Sequence, residues 1–68
     1  MTSNPVTTAR VLHYKPRNTE YRVLHHNVNI KSSDGSWMFG CVYQDIDEGN
    51  IYTRPYSMFD IDKWEIVK

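Results

Sequence analysis

Few residue types in this 68-residue chain have the chemistry to act on a ligand, and most occur singly. His25 and His26 are adjacent. On a regular strand neighbours point to opposite faces, so the pair cannot chelate one metal ion unless a bulge turns them together with His13. Cys41 is the single cysteine. It forms no internal disulfide, supplies no cysteine-based zinc site, and keeps the odd-numbered phase of Phe39 and Tyr43, as a small core residue does. Asp45, Asp47 and Glu48 form an acidic run without the length or pattern of a calcium loop, and they read as a turn. Three glycines, Gly35, Gly40 and Gly49, are too few and too scattered for a phosphate-cradling loop. No metal, cofactor or catalytic constellation is expected.

The aromatic load is the stronger functional signal. Tyr14, Tyr21, Trp37, Phe39, Tyr43, Tyr52, Tyr56, Phe59 and Trp64 are spread through a chain that has room for one small core. Phe39, Phe59 and one tryptophan are expected to fill that core, leaving several tyrosines at the surface. There their apolar rings and polar tips suit an interface. Arg54 admits two readings. It pairs with an acidic residue or stacks on a tyrosine, or it marks a partner-binding face with Tyr52, Tyr56 and Tyr43.

Eight Lys and Arg balance eight Asp and Glu, which argues against nonspecific nucleic-acid binding by bulk charge. The balance is uneven along the chain. Residues 1–34 carry a net +3 and residues 35–68 a net −3. The two halves are expected to pair across a sheet, or else to leave an acidic rim for a basic partner. Arg10, Lys15, Arg17, Arg22 and Lys31 could line a strip for single-stranded nucleic acid, beside exposed aromatics on which bases stack.

The elements that must position these residues are short strands. Residues 1–8 are polar, contain a proline and read as a flexible arm, followed by one domain over 9–68. Strands are expected at 11–14, 20–30, 37–45, 51–54 and 64–67, the first four separated by turns at 15–19, 31–36 (with its Asp34-Gly35 step) and 47–50. Within 20–30 the apolar phase switches near Leu24–His26, which predicts a bulge or sharp bend. Gly40 allows another backbone or ring to approach. The fold class is all-β, a five-stranded meander or SH3-like barrel with a helical turn near the C-terminus.

His13-Tyr14-Lys15, Tyr21-Arg22-Val23-Leu24, Val42-Tyr43 and Tyr52-Thr53-Arg54-Pro55-Tyr56-Ser57-Met58-Phe59 occur in an order that resembles a family of bacterial and phage proteins, the domain of unknown function 1653. The resemblance spans about His13 to Phe59, with the Arg54–Phe59 block its most specific piece. A longer turn after Tyr14, the extended Lys31–Ser36 segment and Tyr56-Ser57 depart from the family pattern. The resemblance implies a compact β domain and no particular activity.

The expected function is a non-catalytic module docking an aromatic surface onto a protein partner, as in a phage accessory protein. The alternative is single-stranded nucleic-acid binding. No apolar stretch is long enough for a transmembrane span, and residues 1–8 lack the pattern of a secretory signal. With one unpaired thiol, a cytoplasmic location is expected.

Overall fold

The computed structural model describes residues 5–68. Five strands follow one another as β1 (Val11–Tyr14), β2 (Thr19–Lys31), β3 (Trp37–Asp45), β4 (Ile51–Pro55) and β5 (Trp64–Ile66). They form one antiparallel sheet in the order β4-β3-β2-β1-β5. The small all-β domain read from the sequence is therefore observed, with every strand boundary within about one residue of its expected place. Short 3-10 turns connect the strands at Lys15–Arg17 and Tyr56–Met58. The first ends at Asn18, whose φ of 51° is left-handed and suits asparagine.

The sheet is bent because β2 is bulged. Its pairing with β3 shifts register between Val23 and His25 and again between His25 and Val28, where the sequence phase switches. Asn27 carries the irregularity at a φ of 56°. On the Leu12–Tyr21 side of the bend, Leu12, Tyr21, Cys41, Tyr43, Phe59 and Trp64 are buried together. At the β3–β4 contact, any Cβ on Gly40 would run into the Arg54 carbonyl and the Ile30 side chain, so the absence of one lets β4 seat against β3.

Two expectations change. Residues 1–8 were expected as an arm. Residues 1–4 lie outside the described residues, but Pro5–Thr8 is a 3-10 turn and Val6 is a fully buried core residue. Its apolar side chain covers core that the five strands leave open. Phe39 does not belong to the core: it is 63% exposed and Trp37 is 65% exposed. Both lie beyond the bulge, on the outer part of the β2–β3 hairpin, where strand phase alone cannot bury a side chain because no second layer covers it. Three tyrosines, Tyr21, Tyr43 and Tyr56, are buried instead.

Candidate functional site

The concave face of the sheet holds an open cleft of about 250 Å³. Strand alternation builds it. Tyr21, Tyr43 and Trp64 come from β2, β3 and β5 and form the floor. Tyr21 and Tyr43 meet edge-on at 5.3 Å between ring centroids, and Trp64 lies 5.4 Å from Tyr21 and 5.8 Å from Tyr43. The walls are Tyr14, which packs 4.7 Å from Trp64, and Tyr52, which stacks 5.7 Å from Tyr43. Offset and edge-to-face ring pairs of this kind stabilise by about 0.5–1.5 kcal/mol each beyond the area they bury.

Two guanidinium groups complete the lining, Arg17 from the turn after β1 and Arg54 from β4. Arg54 is half-buried. Its Nε donates to the Tyr43 hydroxyl at 3.1 Å and Nη1 to the Met58 carbonyl at 3.5 Å. Its Cζ lies 5.5 Å from the Trp64 ring and 5.6 Å from the Phe59 ring. The stacking reading of Arg54 is thus realised on Trp64 and Phe59 rather than on a tyrosine, and among the described residues no acidic side chain pairs with it. The same contacts explain why Arg54, Met58 and Phe59 occur as one block: the arginine folds back over the residues that follow it. Burial pushes the pKa of the Tyr43 and Tyr21 hydroxyls above the ordinary phenol value, which favours their protonated forms.

Of the residues expected at a partner-binding face, Tyr43, Tyr52 and Arg54 come together here. Tyr56 does not. It is 8% exposed, and its hydroxyl lies 2.7 Å from His26 Nδ1 and accepts the Asn27 N–H at 3.0 Å. A bulge releases a backbone N–H from the strand ladder, and Tyr56 takes it up. Its place is therefore in packing. Tyr14, Tyr21, Trp64 and Arg17 join the cleft without having been singled out as one site. The signal was the pairing of β1 with β2 and with β5, which follows from register and not from residue type.

The cleft does not gather the residues of the basic strip. Arg10, Lys15, Arg17, Arg22 and Lys31 are all exposed, but only Arg17 lines the cleft. Arg22 alternates with Tyr21 and so faces the other side of the sheet, in a depression with Gln44 and Asp45. Lys31 lies over the exposed Trp37 ring at 5.7 Å on the outer hairpin. Nor does any Lys or Arg ion pair join the oppositely charged halves among the described residues. Among the described residues the one ion-pair contact is His13 Nδ1 to Glu65 Oε1, at 3.2 Å.

The remaining candidates have structural surroundings. His26 Nε2 is 2.6 Å from the Ala9 carbonyl, so it is the donor there and Nδ1 accepts from Tyr56. Asp45 is buried and its Oδ1 accepts the N–H groups of Asp47 and Glu48, closing the turn in which they stand. No group of three potential metal ligands is gathered among the described residues. Among the described residues no helix is long and apolar enough to cross a membrane. The chain matches no family model, no curated protein and no solved structure.

Proposed function

We propose that this protein is a non-catalytic binding module that docks a protein partner in the cleft between Tyr14, Tyr52 and Arg54. One observation carries the reading: a solvent-open aromatic cleft that contains a half-buried guanidinium with no carboxylate partner among the described residues. Aromatic rings and arginine are the side chains from which binding hot spots are most often built. The resemblance to the domain of unknown function 1653 is kept as a proposal of kinship. A phage accessory role and a cytoplasmic location belong to the same proposal, from chain size and the unpaired thiol.

The test is capture by tagged protein at low and high salt, with and without nuclease. A protein retained under all conditions by the wild type and lost by a folded Tyr52→Ala/Arg54→Lys variant supports the reading. Equal retention by the variant rejects this face. A second reading, single-stranded nucleic-acid binding, is favoured by a cleft lined by both Arg17 and the exposed Tyr52 ring. It requires capture that vanishes with nuclease and falls steeply with salt.

A further inference from the structure

The cleft is rich in hydrogen-bond donors. Its lining residues carry two guanidiniums, four phenols and an indole, and no carboxylate. Among the described residues, no carboxylate lies within 4.0 Å of the Arg17 or Arg54 guanidinium. The Tyr43 oxygen accepts from Arg54, which leaves its own proton to be donated elsewhere. Two guanidiniums without carboxylate partners, set among phenol donors, make the site complementary to an oxyanion.

The second feature is the neighbouring edge. β4 is the last strand on its side of the sheet. The Asp45 N–H bonds the Asn50 carbonyl at 2.9 Å, which sets the alternation of the β3–β4 ladder. Tyr52 and Arg54 then turn their backbone groups toward β3, while Ile51 and Thr53 turn theirs outward. Pro55, at the next outward position, has no N–H to present. An extended peptide laid along β4 would find ladder partners at Ile51 and Thr53, and its side chains on the concave side would face Tyr52 and Arg54.

Resting on the docking reading above, we infer that the partner group is a carboxylate on an extended, acidic peptide segment that adds as a strand along β4 and places the carboxylate between Arg17 and Arg54. Nucleic acid fits less well. Tracking a phosphate backbone needs a run of cations, and Arg22 and Lys31 lie away from the two in the cleft.

The experiment is selection from a surface-displayed library of random decapeptides, with affinities then measured for the wild type and for Arg17→Gln, Arg54→Lys and Tyr52→Ala. Arg17 is exposed, so Arg17→Gln keeps the test open should the Arg54 variant fail to fold. Enriched Asp- or Glu-containing peptides are expected, with affinity about ten- to a hundredfold lower for Arg17→Gln and Arg54→Lys, as befits hydrogen bonds to a charged group. Peptides that depend on Tyr52 but are neutral or basic and indifferent to Arg17→Gln would overturn the carboxylate and leave docking intact. No enriched peptide would overturn both, and a fluorescent oligothymidylate bound in its place would point to nucleic acid.

Discussion

The Tyr56 hydroxyl meets His26 Nδ1 at 2.7 Å, with the two rings stacked at 5.9 Å, although 30 positions separate them in the chain. His26 in turn reaches the Ala9 carbonyl, so one imidazole ties the N-terminal segment to the bulge of β2 and to the turn after β4. Tyr56→Phe keeps the ring and removes the oxygen. It strands the Asn27 N–H and the imidazole acceptor, which is expected to cost about 1–3 kcal/mol. Urea titration measures the loss. Binding through the cleft should be unchanged, since Tyr56 lies outside it.

Phe39 and Phe59 separate the hairpin from the core. Phe59→Ala removes a ring packed 5.0 Å from Trp64 and 5.7 Å from Tyr43. It is expected to cost about 3–5 kcal/mol. Phe39→Ser alters an exposed position and is expected to stay within about 0.5 kcal/mol of the wild type. Thermal melting of both variants checks the contrast, and equal destabilisation would mean that the outer hairpin is covered.

The Cys41 thiol is wholly buried, and burial pushes its pKa up to about 11. The reactive thiolate is then scarce and shielded. In native conditions near about pH 8, labelling by a disulfide reagent should be limited by unfolding, and it should become rapid in urea. Fast labelling of the native protein would show that β3 and β4 separate readily.

His13 joins β1 to β5 through Glu65, and its other nitrogen meets Asn18 Oδ1 at 2.7 Å. These hydrogen bonds, Glu65 first, raise its pKa above the ordinary 6.5. A raised folded-state value means the contact contributes fully below the unfolded pKa and is lost as pH rises through the folded one. Amide exchange in Trp64–Ile66, corrected for its intrinsic pH dependence, should therefore be better protected near about pH 5 than near about pH 8. Glu65→Gln should lower the His13 pKa, read by NMR titration, and flatten that difference.

Much of the fold was legible in the residues. Alternation along Trp37–Asp45, turn residues at Asp34–Gly35 and Gly49–Asn50, and the phase break near His25 are local signals, and each reports backbone geometry directly. The Gly40 contact was legible too, because a missing side chain inside a strand has few uses. Tyr43, Tyr52 and Arg54 could be associated from their types, and strand pairing then placed them together.

What the tertiary structure alone decided was which aromatics are covered. Trp37 and Phe39 share the phase of Cys41 and Tyr43, yet only the latter two are buried, because burial depends on whether another layer lies above the strand. Val6 looked like part of a tail and fills the core, since a small curved sheet leaves apolar surface that any adjacent chain can cover. Tyr56 went inside because a bulge freed a backbone N–H that needed an acceptor. Arg17 reached the cleft while Arg22 did not. Period-two alternation sends Arg22 to the far side of the sheet, whereas the turn after β1 delivers Arg17 to the concave side.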